Sequence, residues 1–62
     1  MDPKHNTYRV TIRYQRRLQQ YEVFEVEAAN LRDALSEATA RFPEELTETG
    51  DLVEVRLANP LG

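Results

Sequence analysis

Apolar and polar positions alternate one for one between residues 8 and 14. Tyr8, Val10, Ile12 and Tyr14 share one parity, and Arg9, Thr11 and Arg13 share the other. A period of two in β-branched and aromatic residues predicts a half-buried strand over about 7–15. A second stretch of similar composition predicts a strand over about 20–28, but its alternation slips. Tyr21 and Val23 share one parity, while Phe24, Val26 and Ala28 share the other. One inserted residue moves every following side chain to the opposite face, so a β-bulge is expected near Val23–Phe24. A plain strand that leaves Tyr21 and Val23 on the outer face is the competing account. The connection Gln15-Arg16-Arg17-Leu18-Gln19-Gln20 holds no Gly, Asn or Asp. A two-residue type I′ turn is therefore disfavoured, and a three- to five-residue hairpin loop around a type I turn is expected, with Leu18 at its tip.

After Asn30 the spacing changes. Leu31, Ala34, Leu35, Ala38 and Phe42 recur at helical intervals, with Arg32, Ser36, Glu37 and Thr39 on the polar side. This predicts a helix over about 31–42 whose Leu35, Ala38 and Phe42 pack against Val10, Ile12 and Val26. Asn30 is a favourable N-cap, and Asp33 sets a carboxylate in the first turn, where the helix dipole favours negative charge. Pro43 disfavours α geometry at Phe42 and stops the helix. An acidic connection follows with Glu44, Glu45, Glu48 and Asp51, in which Leu46 is the expected anchor and Thr49-Gly50-Asp51 the expected turn. Val53, Val55 and Leu57 then alternate with Glu54 and Arg56, predicting a third strand over about 52–58 that Asn59-Pro60 ends. Residues 1–6 and 59–62 are tails of one domain spanning 1–62, with no internal repeat or linker.

The order β-β-α-β prunes the topology to one expectation, since a crossover to a parallel strand is almost always right-handed. The fold is read as α+β, a two-layer ββαβ arrangement. Its three-stranded sheet has the order 2-1-3, with one helix packed on one face. Charges on the outer face favour strand one as the centre. Arg9 and Arg13 project from it, with Glu25 and Glu27 on one side and Glu54 on the other. Opposite charges across strands each contribute roughly 0.2–1 kcal/mol. Arg9 is expected beside Glu27, and Arg13 near Glu25.

Composition removes most chemistry. A chain of 62 residues has no cysteine, a single histidine at His5, and only two glycines, Gly50 and Gly62. Thiolate or histidine metal centres, nucleophile triads and Gly-rich phosphate loops all lack their residues. Glu44, Glu45 and Glu48 lack the alternating oxygen ligands and sharp Gly turn of a calcium loop. No catalytic residue, cofactor, metal or small-molecule substrate is expected, and the protein is read as non-enzymatic. No apolar run approaches the roughly 20 residues of a membrane span, and the N-terminus lacks a signal-peptide core. A cytoplasmic protein with no membrane partner is expected.

The net charge is −3, but it divides unevenly: residues 1–21 carry +4 and residues 22–62 carry −7. Such asymmetry can mark a nucleic-acid arm. The arginines of strand one have glutamates beside them, which cancels much of their field and leaves Lys4, Arg16 and Arg17. Together with Leu18 these form the candidate contact for nucleic acid or another partner. A third reading has the acidic residues 44–54 presented to a basic surface as an inhibitor.

Association is the expectation that the physics favours. A chain this small buries only about 60% of its unfolded surface and here has no disulfide or metal to supplement its core. Strands two and three are both sheet edges, and unguarded edges pair readily. Strand three lacks lysine, so Val53, Glu54, Val55, Arg56 and Leu57 are the candidate edge of a homodimer, pairing antiparallel about a central residue such as Val55. Strand two is the alternative edge. The function read from the sequence is a protein–protein interaction or self-associating module. The competing reading is a small nucleic-acid-binding protein that uses the basic N-terminal hairpin.

The stretch from Tyr21 to Phe42 also resembles short bacterial and phage proteins of uncharacterised families. In these, a strand ending in alternating Val and Glu (here Val23, Glu25, Val26 and Glu27) runs through Ala28-Ala29-Asn30 into an Ala- and Leu-rich amphipathic helix. The resemblance implies a ββαβ fold and a prokaryotic or phage origin. It carries no functional residue over to this chain.

Overall fold

In the computed structural model, which describes residues 5–15 and 17–58, the strand with the cleanest alternation takes the centre of the sheet. β1 (Asn6–Tyr14) is flanked by β2 (Gln20–Ala28) and β3 (Gly50–Leu57), both antiparallel to it, in the order β2-β1-β3. One helix, α1 (Leu31–Ala40), packs on one face, so the α+β class and the ββαβ order are as expected. Asn30 caps the helix as predicted, its side-chain oxygen accepting from the Asp33 backbone N–H at 2.8 Å. The helix ends at Ala40, two residues earlier than its apolar spacing implies, because Arg41 already leaves α geometry ahead of Pro43. A short 3₁₀ turn, Glu44–Leu46, follows and buries Leu46, the expected anchor.

The core lies between helix and sheet: Tyr8, Val10 and Ile12 from β1, Val26 and Ala28 from β2, Ala34 and Ala38 from α1, and Leu46. Phe24, Phe42, Val55 and Tyr14 pack around it, partly buried. A ten-residue helix is about 15 Å long, whereas a nine-residue strand runs about 30 Å. The helix therefore covers only part of the inner face, and Leu46 closes over the rest near Ile12.

Three expectations are corrected. β2 has no bulge: it pairs with β1 in unbroken register from Asn6 opposite Ala28 to Tyr14 opposite Gln20. The competing plain strand is what forms, and Tyr21 and Val23 lie half-exposed on the outer face beside Arg13 and Thr11. The irregularity falls instead between β1 and β3, where Arg13 faces Leu52 but Tyr14 faces Gly50, leaving Asp51 as the extra residue. Gly50 and Asp51 thus belong to β3, and the turn lies at residues 47–49. Second, the charge pairs differ from those expected. Arg9 sits opposite Glu25, not Glu27, at 3.9 Å, and Arg13 pairs with Asp51, not Glu25. The five-residue loop 15–19, which closes on Tyr14 and Gln20 with Gln15 and Gln19 both at φ 52°, sets the register that brings Glu25 to Arg9, while the irregularity of β3 brings Asp51 to Arg13. Third, Leu35 is 49% exposed and Leu31 50% exposed, so the helix meets the sheet through its alanines rather than through Leu35.

Candidate functional site

The direction of each β3 amide follows from one hydrogen bond. Ala58 N–H donates to the Thr7 carbonyl at 2.8 Å, and the register places Ala58 opposite Thr7, one step beyond the Tyr8–Leu57 pair. In an antiparallel ladder only a closely spaced pair joins directly opposite residues, and such pairs alternate along the strand. Arg56, Glu54 and Leu52 therefore turn their N–H and C=O groups toward β1. Leu57, Val55 and Val53 turn theirs outward, along the open edge. The side chains of these same three residues point to the inner face, opposite Tyr8, Val10 and Ile12.

That edge is apolar beyond its backbone. Val53 is 50% and Leu57 43% exposed, and Val55 is partly buried against the core. Helical geometry brings Leu31 and Leu35 to the same side. With about 100° per residue, and Ala34 and Ala38 facing the sheet, Leu31 and Leu35 lie on one flank and Asp33 and Glu37 on the other. The acidic flank stands over β2, since Glu37 and Arg41 share a recess with Glu25 and Glu27. The leucine flank therefore stands over β3, the opposite side of the sheet. Of the candidate edge residues, Val53, Val55 and Leu57 thus form the backbone and apolar surface, while Glu54 and Arg56 stand on the outer face.

Directly opposite Arg56 on the outer face is Arg9, a like charge, and opposite Glu54 is Thr11. Arg9 turns to Glu25 on its other side. Among the described residues neither Glu54 nor Arg56 has an ion-pair partner within the chain. Arg13 is better served: its Nε and its second guanidinium nitrogen donate to the two Asp51 carboxylate oxygens at 3.0 and 2.9 Å. The hydrogen bonding to Asp51 holds the Arg13 pKa above its ordinary value; desolvation opposes it, and the attraction of the carboxylate adds to it.

The orientation of Glu54 bears on how the edge can be probed. Its amide is part of the β1–β3 ladder, so Glu54→Pro removes a bond inside the monomer and leaves the Thr11 carbonyl without its donor. We expect this substitution to destabilise the fold by about 1–3 kcal/mol, read by thermal melting, without reporting on the edge.

The other candidate contact is described in part. Arg17 is exposed and Leu18 is 67% exposed at the hairpin tip, while Lys4 and Arg16 lie outside the described residues. The two arginines of β1 are drawn to Glu25 and Asp51, as the cancelling of their field requires. Elsewhere there is a shallow, open recess of about 460 Å³ lined by Thr7, Glu25, Glu27, Glu37 and Arg41. Among the described residues no polar or charged side chain is buried, and no three potential metal ligands come together. Among the same residues no helix is long and apolar enough to cross a membrane. No family model, curated protein or solved structure matches the chain.

The sequence places Val53, Val55 and Leu57 at the edge but misses Leu31 and Leu35, which belong to the same surface. Their signal is the pairing of two leucines with two alanines on one stripe. The smaller residues permit the closest approach to the sheet and so leave the larger ones at its margin.

Proposed function

We propose that this chain is a non-enzymatic protein–protein interaction module that associates through the open edge of β3. The observation that supports the reading is the coincidence at Val53, Val55 and Leu57 of outward backbone groups with half-exposed or partly buried apolar side chains, next to the exposed Leu31 and Leu35. Edges of monomeric sheets are ordinarily guarded by lysine, proline or a bulge within the strand. Residues 52–57 contain no lysine or proline, and the irregularity at Asp51 lies before them.

The competing reading, nucleic-acid binding through Lys4, Arg16 and Arg17, draws on three cations of which Arg17, exposed in the hairpin loop, lies among the described residues. Amide hydrogen exchange on the unmodified chain separates the two. As protein concentration rises from micromolar to millimolar, the amides of Val53, Val55 and Leu57 should gain protection. The outward amides of β2, at Tyr21, Val23, Glu25 and Glu27, should not. Protection of the β2 amides instead would move the site to the other edge. No gain at millimolar concentration, together with a salt-steep electrophoretic shift on random DNA or RNA, would replace the reading with the nucleic-acid one.

A further inference from the structure

Resting on the reading of β3 as an association edge, we propose that its occupant is a second copy of this chain. The copies join β3 to β3 in one antiparallel register about a two-fold axis through Val55. Such an axis, perpendicular to the sheet, keeps both helices on one face and places residues of like parity opposite each other. The centre must then be a single residue, and the sequence of β3 discriminates among the choices. Centring on Glu54 sets Glu54 against itself, and centring on Arg56 sets Arg56 against itself. Centring on Val53 sets Leu52 against Glu54 and Asp51 against Val55. Centring on Leu57 leaves most of the strand unpaired. Only Val55 sets every apolar residue of the inner face against another, Val53 opposite Leu57 and Val55 opposite Val55. It also sets Glu54 opposite Arg56 twice over.

That register supplies what each copy lacks. Glu54 and Arg56 have no ion-pair partner within the chain among the described residues, and Arg56 stands opposite the like charge of Arg9. Across the axis each gains its opposite on the same face. The outward N–H and C=O groups of Val53, Val55 and Leu57 become the closely spaced pairs of the new ladder, so none is left without a partner. The two leucine flanks, Leu31 and Leu35 of each copy, would wall a groove floored by Val53, Val55 and Leu57 of both. The β2 edge offers no such solution. It carries Glu22, Glu25 and Glu27 with no basic residue, so no two-fold pairing there can set a carboxylate against a cation. Charge complementarity of the strand with itself is therefore confined to β3.

The test exploits the reciprocity of the contact. Glu54→Arg gives a strand with two arginines, and Arg56→Glu gives one with two glutamates. In the proposed register each variant opposes like charges across its own axis. We expect each to self-associate about 10- to 100-fold more weakly than the parent at low ionic strength in sedimentation equilibrium. An equimolar mixture of the two should recover a heterodimer of near-parental affinity. Both arginines of the Glu54→Arg copy then face a glutamate of the Arg56→Glu copy. Far-ultraviolet circular dichroism and melting of each variant at dilute concentration check that the monomer fold is kept. If the parent self-associates and the single variants do so equally well, or if mixing restores nothing, the register is wrong while association as such stands. If the parent is a single monomeric species from micromolar to millimolar, the second copy and the register fall together. Protection of the β3 amides by a different protein would then still keep the edge as a binding surface.

Discussion

Ile12→Ala should lower the stability of the monomer by about 2–5 kcal/mol, enough to bring a chain of this size close to unfolding. Stabilities of roughly 0.05–0.15 kcal/mol per residue give only about 3–9 kcal/mol for 62 residues. Ile12 is the largest of the fully buried side chains, 1% exposed, and it stands on the central strand. Its neighbours make collapse around the cavity difficult. Glu22 and Val53 flank it on the two sides, both exposed, and the backbone at Gly50 and the 3₁₀ turn that buries Leu46 close over it. None of these can slide inward without breaking a ladder or the turn. At about 4–8 °C per kcal/mol for a domain of this size, the melting midpoint should fall by at least roughly 8 °C. The comparison belongs at one dilute concentration, since self-association makes apparent stability depend on concentration. A fall of a degree or two would show that the inner face near Ile12 is not covered in solution.

The same residue shows where sequence reasoning reaches. The alternation from Tyr8 to Tyr14 names Val10 and Ile12 as core, and Arg9 and Arg13 on either side of them, flanked by acidic strands, name β1 as the central strand. Both statements depend only on parity and on the sign of charge, and both are properties of the folded sheet. Register is a finer quantity. Sliding β2 by two residues keeps every side chain on its face and still sets a glutamate beside Arg9, so parity and charge cannot choose between Glu25 and Glu27. The loop chooses, by holding Gln15 and Gln19 at positive φ. Glutamine carries no special preference for that conformation, so the loop sequence gives no sign of it. The expected bulge fails for a related reason. Tyr21 and Val23 break the apolar pattern of β2, but exposed apolar residues on an outer face cost little, and Arg13 and Thr11 lie alongside them.

The helix illustrates the converse. Periodicity assigns Leu31 and Leu35 to one apolar stripe with Ala34 and Ala38, and the stripe exists. What periodicity cannot supply is the width of the surface beneath. Over three strands and with alanines at the closest approach, a stripe of this breadth overhangs the sheet on one side. That side is β3, and the overhang makes the edge a surface rather than a bare backbone. The candidate site was thus half legible: the strand from its composition, the leucines only from the packing.

Gly50→Ala should be clearly destabilising although Gly50 lies outside the core, for a reason of space alone. Gly50 opens β3 without a positive φ, so its backbone is one that alanine could adopt. A Cβ there, however, would lie 2.8 Å from the Leu46 carbonyl oxygen and 3.4 Å from the Ile12 Cγ2. The first contact is with backbone and cannot be relieved by a rotamer. Either the 3₁₀ turn lifts and uncovers Leu46, or β3 shifts at its irregularity and carries Asp51 away from Arg13. Crowding of this kind costs about 1–3 kcal/mol. The two consequences can be read separately. The melting midpoint reports the lost packing, and the Arg13 Nε–H resonance, slow to exchange while it donates to Asp51 at 3.0 Å, reports the displacement of the strand. Asp51→Asn is the control: it weakens the Arg13 resonance's protection but leaves Gly50 and Leu46 in place, so its melt should stay near the parent's. If Gly50→Ala melts with the parent and keeps the Arg13 signal, the turn is not seated against β3. Leu46 would then not close the core over Ile12, and the coverage that makes Ile12 costly to truncate would have to come from elsewhere.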